Sequence, residues 1–246
     1  MPSFKDSLGE FQKLKNEPLK TKLEYIFTYY WIPILVVAVL FVVLISQIIH
    51  FTSVKETVLS GHCINATAES ADADKFIADF AISLGVDSEK SEISILTSQF
   101  LPSASYDSYV ANQLITAKIA TKSLDFIVAD PETLLLYAYQ ESFCDLRKVL
   151  SPAQFQKFTD HFLYMDSAQI TNPDIQSSQS SVYPDPTAPN SMQQAVPFAV
   201  QIPPDSEFAQ LYYPDADSPI AIAVLDNAPN PTLAVSFVDY ICDKCN

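Results

Sequence analysis

Glycine is almost missing from this chain: 246 residues contain only Gly9, Gly61 and Gly85, none near another. A P-loop, a dinucleotide fingerprint and a G-x-S-x-G nucleophile elbow are thereby excluded, since each needs closely spaced glycines. Positive charge is also scarce, with 14 basic side chains against 29 acidic ones and a net charge of −15. That balance excludes nucleic acid as a partner, because gripping a phosphate backbone requires a basic face. Histidine is limited to His50, His62 and His161. His50 sits at the end of an apolar run, His62 beside a strand, and His161 in FTDHFLYM reads as a packed residue rather than a general base. A chain that is 48% hydrophobic is not wholly disordered. No motif names a reaction.

What is present in abundance is one long apolar segment. From Tyr25 to Val54 no Asp, Glu, Lys or Arg occurs, and the apolar core Ile26–Ile49 is 24 residues long. As a helix it would extend about 36 Å, enough to cross a hydrocarbon core of about 30 Å with some tilt. The run IPILVVAVLFVVLI is apolar on every face, unlike the one-sided stripe of a core helix. Tyr29, Tyr30 and Trp31 cluster at one end, where amphipathic rings suit the headgroup level, and Pro33 falls near the start. Residues 1–24 carry Lys5, Lys13, Lys15, Lys20 and Lys22, whereas Lys55 stands alone after the run. The positive-inside rule then predicts a cytoplasmic tail over 1–24, a transmembrane helix over 25–50 in the lipid bilayer, and an extracellular body over 51–246. The run exceeds a signal-peptide core and no A-x-A-like site follows, so an uncleaved signal-anchor in the cell membrane is expected. Within the tail, Ser3 with Asp6 and the spacing of Phe4, Leu8, Phe11 and Leu14 fit either a surface helix or a tail that merely supplies lysines.

Beyond the apolar run the charge is concentrated. The tail has five lysines and four acids; the remainder has 9 basic and 25 acidic residues, or −16. Strand and helix alternate: Val54–Ile64 (strand), Asp72–Leu84 (helix), Ile93–Phe100 (strand), Tyr106–Thr121 (helix, with Val110, Leu114, Ala117 and Ile119 outlining one apolar face), Leu124–Ala129 (strand), then the helix PETLLLYAYQ opened by Asp130, Pro131 and Glu132. This order argues for an α/β domain with a largely parallel or mixed sheet. Eleven of the 17 prolines lie from Pro173 to Pro231, and 171–194 reads as a Pro/Ser/Gln-rich excursion within one domain. Strands resume at Ala195–Ile202 and Ile220–Leu225, and a last helix starts at Asn230-Pro231, with Leu233, Phe237 and Ile241 on one face.

Metal and thiol chemistry have weak signals. Asp72/Asp74 and Asp215/Asp217 lack the D-x-D-x-D-G frame of a calcium loop. Cys242-x-x-Cys245 lies at the end of a helix, where the dipole disfavours a thiolate, and it has no second C-x-x-C to complete a zinc site. No metal or cofactor is expected. Either a Cys63–Cys144 disulfide or free buried thiols fits an external domain with four cysteines.

The run LDFIVADPETLLLYAYQESFCDLRKVLSPAQFQKF resembles the first lobe of type 2 extracellular solute-binding proteins, in which a strand ending in an acid leads to a helix and a D-L turn. The ending IAIAVLDNAPNPTLAVSFVDYI is similar to their closing strand and returning helix. With VYPDPTAPNSMQQAVPFAV, the chain resembles most of all a group of uncharacterised membrane-anchored relatives in Gram-positive anaerobes. The excursion at 171–194 sits where a second lobe would be inserted, so that lobe is expected to be reduced or absent. A transmembrane helix replaces the family's lipid anchor.

The resemblance implies noncatalytic binding of a small solute. In parallel α/β sheets ligands sit beyond the carboxyl ends of strands. That places a ligand site at Thr97, Ser98 and Gln99 after the second strand, and at Asp130 and Glu132 after the third, unless the last two only cap their helix. The competing expectation is a structural or interaction domain that docks a membrane protein such as a transporter subunit.

Overall fold

The computed structural model describes residues 18, 20, 24, 28, 31–53, 55–67, 71–98, 106–170, 183–216 and 218–243. The chain divides into two units, residues 1–54 and 55–246. In the first, helix α1 (Trp31–Ser53) has 23 residues and no charged side chain. Its described side chains, residues 31–47, are all exposed. Among the described residues, no helix is long and apolar enough to cross a membrane. The tail helix expected from Phe4 to Leu14 lies outside the described residues.

The second unit is built on β1 (Glu56–Ile64), α2 (Ala71–Ser83), β2 (Ser91–Ser98), α3 (Tyr106–Ala120), β3 (Phe126–Ala129), α4 (Pro131–Ala138), α5 (Leu146–Val149), α6 (Pro152–Phe158), β4 (Phe162–Asp166), α7 (Ser167–Ile170), β5 (Ala195–Ile202), α8 (Glu207–Tyr212), β6 (Ile220–Val224) and α9 (Pro231–Asp243). Six strands form one sheet in the order β2-β1-β3-β6-β5-β4. β1 runs parallel to both β2 and β3; the pairings β3–β6, β6–β5 and β5–β4 are antiparallel. The sheet is therefore mixed, and the largely parallel alternative is corrected: β6 enters beside β3 from the opposite end. β4, inside the FTDHFLYM run, was not legible as a strand.

Both faces of the sheet are covered, which is why β3 and β6 are buried throughout their length. On one face an aromatic core joins α2, α8 and α9, with Phe80 and Phe126 each packing against Phe237 at 5.0 and 4.9 Å. On the other face Ile115 of α3 and Leu134 and Leu135 of α4 lie over Ile127, Ala129, Ala221 and Ala223. The α3 face also needs correction. Ala111 and Ile115 point inward, while Val110 and Leu114 are 44% and 47% exposed. Apolar residues occur all round this helix, so periodicity could not choose between the two stripes. On α9 the reading holds, with Phe237 and Ile241 buried and Leu233 partly so.

Asp125 fastens the end of the sheet where β3 begins. Its buried carboxylate accepts the Ser60 N–H at 2.8 Å and the Asn230 N–H at 2.7 Å, joining β1 to the start of α9. Asp166 does similar work at the end of β4. It is 3% exposed and accepts the N–H groups of Ala168, Gln193 and Gln194 at 3.2, 3.0 and 2.9 Å. Burial raises its pKa, but the three donors outweigh burial and hold the carboxyl below its usual range. Through these bonds residues 193 and 194, the end of the Pro/Ser/Gln-rich excursion, are fixed to the sheet. Residues 171–182 of that excursion lie outside the described residues.

Candidate functional site

The carboxyl ends of β1 and β3 meet the amino end of antiparallel β6, and a bipartite depression lies there. Asn65, Asp130 and Ser218 line both halves. The smaller half, about 320 Å³, continues to Thr67, Tyr213 and Asp215. The larger, about 960 Å³, continues to Glu132, Leu136, Tyr183 and Asp185.

Each wall follows from local sequence. Asn65 ends β1 in the left-handed region at φ 59°, which Asn tolerates better than most residues, and its N–H donates to the Ser98 carbonyl at 2.6 Å. Asp130 is the N-cap of α4, with Pro131 at the first helical position. One carboxylate oxygen accepts the Thr133 N–H at 2.9 Å and the other the Thr133 hydroxyl at 2.7 Å. Asp130 therefore both caps the helix and faces the depression. Tyr213 is anchored from below by donation of its hydroxyl to the Val128 carbonyl at 3.0 Å, and burial drives its pKa well above the usual phenol value. Tyr183 stacks on Tyr139 with ring centroids 4.2 Å apart and planes 10° from parallel. Asp185 turns the chain by accepting the Thr187 N–H and hydroxyl at 2.9 and 2.7 Å, bonds that lower its pKa.

Of the residues expected at a site, Asp130 and Glu132 line this depression. Thr97 and Ser98 do not. The Ser98 hydroxyl is 2.8 Å from His62 Nε2 across the β1–β2 ladder, and Thr97 is exposed on β2. Gln99 lies outside the described residues. His62 is 1% exposed, its Nδ1 has no partner among the described residues, and burial assisted by the Lys118 charge pushes its pKa down to about 4. It is a neutral core histidine paired with Ser98, away from the depression.

The disulfide alternative is also resolved. Cys63 and Cys144 are free, buried thiols, and burial raises both to about 12. β3 stands between Cys63 on β1 and β6, and the Cys144 N–H donates to Val224 of β6 at 3.0 Å. At least two strand spacings, about 9–10 Å, thus separate the two chain positions, beyond the reach of about 7 Å for a bridge. Cys242 sits in the last turn of α9, and Cys245 lies outside the described residues. No group of three or more His, Cys, Asp or Glu side chains is placed to hold a metal among the described residues.

Sequence reasoning missed Asn65, Tyr183, Asp185, Tyr213 and Ser218, and weighed Asp215 only as a calcium ligand. Ser218 could be placed only once β6 was known to run antiparallel. Tyr183 and Asp185 belong to a segment whose polar, proline-rich composition signals a loop but not its seat. Among the described residues the lining has four carboxylates, Asp130, Glu132, Asp185 and Asp215, and no Lys, Arg, His or Cys. Such a surface offers hydrogen bonds and an aromatic wall and repels anions. Among known proteins, no family model, no curated sequence and no solved structure matches this chain.

Proposed function

We propose that this chain is a single-pass membrane protein whose body outside the cell binds a small neutral or cationic solute, without catalysis. The observation that carries the binding reading is the depression shared by Asn65, Asp130 and Ser218, at the strand ends where α/β sheets receive ligands. The uncharged run Tyr25–Val54 and the lysine-rich tail support anchoring with the N-terminus in the cytoplasm. The solute-binding-like order of elements and the resemblance to the first lobe of that family support a receptor with its second lobe reduced.

The test is a thermal-shift screen of the full chain in a neutral detergent, against sugars, amino acids, polyamines and carboxylic acids. A ligand at 100 times its Kd stabilises the fold by about 2.7 kcal/mol. The expected result is a saturable shift with a neutral or cationic compound, reduced at least tenfold in affinity by Ser218→Ala or Asp215→Asn. No shift across the panel, or one unaffected by both variants, overturns the reading.

A further inference from the structure

The six-stranded sheet ends differently on its two sides. At the β4 edge, the Tyr164 N–H donates to the Pro186 carbonyl at 2.8 Å, so the chain's own proline-rich segment covers that edge. At the other edge β2 pairs only with β1 among the described residues. The direction of its free groups follows from two bonds. Asn65 N–H donates to Ser98, and Glu56 N–H donates to Lys90 at 2.9 Å. In a parallel ladder alternate residues face the partner strand, so Glu92, Ser94, Leu96 and Ser98 turn their backbone to β1. Ile93, Ile95 and Thr97 then present N–H and C=O outward, and Ser91 its C=O alone, because the Ser91 N–H donates to the Asp87 carbonyl at 2.8 Å.

Natural edges are commonly blunted by Pro, Lys or a bulge. β2 has neither residue, and the irregularity in this pair lies in β1, between Thr57 and Leu59. Beside the edge runs a groove of about 400 Å³ whose apolar lining includes Ile77, Ala78, Ala81, Ile93 and Ile95, with Asp74, Glu92 and Lys55 among its polar residues. Ile82, 73% exposed, lies four residues on from Ala78 on the same helix side. A row of outward backbone groups next to an apolar groove selects an extended strand with alternating apolar side chains.

Charge selects among such strands. Residues 71–98 carry six acids and two lysines, and Lys90 is already 3.6 Å from Asp87. The −16 charge beyond residue 24 disfavours a second copy of this chain and favours a cationic segment. We infer that the outer edge of β2 receives an extended segment of a partner protein, alternating β-branched apolar and basic residues, as a seventh strand. This does not depend on the solute reading, since it uses neither Asp130 nor Ser218.

The test titrates the full chain, in neutral detergent, into a fluorescein-labelled nine-residue peptide of alternating valine and lysine, with protein-free micelles as the blank. Anisotropy is expected to show saturable binding. At least tenfold weakening is expected for the peptide N-methylated at alternate residues, and an absence of binding for the valine–glutamate counterpart. Ile95→Pro removes one outward N–H and leaves the ladder to β1 intact, so it also weakens binding tenfold or more. Thr97→Pro, at the exposed end of the strand, serves if that variant fails to fold by circular dichroism. Equal binding of the N-methylated peptide, or no binding at all, overturns the inference. So does a dimer in sedimentation that Ile95→Pro dissociates, because the occupant is then a second copy.

Discussion

The Tyr139 ring, just past the end of α4, lies flat against Tyr183, 44 positions later, at 4.2 Å between centroids. Tyr139 also accepts the Asp166 N–H on its hydroxyl at 3.2 Å, so one residue touches both the end of β4 and the described part of the excursion. The stacked pair thus sets the wall of the larger half of the depression. Tyr183→Ala is expected to cost about 1 kcal/mol from the lost aromatic pair. It should also raise amide exchange across 183–192 while leaving the β1–β3 ladder protected. Hydrogen exchange on the full chain in detergent reads both regions at once.

Asp166 provides the second anchor of that wall. Asp166→Ala leaves the N–H groups of Gln193 and Gln194 without their acceptor and should destabilise the body by about 3 kcal/mol. Because the folded carboxyl titrates below its ordinary value, its contribution is present above about pH 3.9 and drains as pH falls through the folded value. Urea midpoints at pH 7 and pH 3 check both statements: the gap between wild type and Asp166→Ala should narrow at the lower pH.

His62 acts in a higher window. Its folded pKa is about 4, against about 6.5 unfolded. Above pH 6.5 both states are neutral at this ring and stability is complete. Between 6.5 and 4 the unfolded chain takes up a proton that the folded chain refuses, so stability falls by roughly 3 kcal/mol over that interval. Below 4 this group adds no further loss. His62→Gln keeps a partner for Ser98 and should flatten this part of the pH–stability curve without changing the acid limb below pH 4. An identical slope in wild type and variant from pH 7 to 4 would show that the ring titrates normally.

How much of this was legible depended on whether the signal was local. Asp130, Pro131 and Thr133 are neighbours, so the cap of α4 could be read directly, and the strand end at Ala129 pointed to Asp130 and Glu132, which line the depression. Asp125 is different. It sits in the apolar run LDFIVA, and the donors that explain its burial, Ser60 and Asn230, lie 65 and 105 positions away. Strand direction was similarly hidden: nothing in IAIAV states that β6 runs against β3. The pairing of His62 with Ser98 depends on register between two strands, which a single sequence does not reveal. Hence the sequence alone points Ser98 to a ligand, while the fold pairs it with His62.

Gly61 is the glycine that packing demands. It pairs with Phe126 across β1 and β3, and the Phe126 ring crosses the space where a side chain would stand. A Cβ placed there would lie 2.2 Å from Phe126 Cζ. The ring has little room to retreat, because it is fully buried and stacks on Phe237 at 24° between planes. Gly61→Ala should therefore destabilise the body by about 3 kcal/mol through overpacking. Phe126→Leu removes most of the obstructing ring at the separate cost of a cavity. Made together, the two changes should cost less than the sum of the single losses, with a coupling of about 1–2 kcal/mol. Strict additivity in a double-mutant cycle of urea midpoints would mean that β1 shifts to accept the methyl group and that Phe126 does not set the residue opposite it.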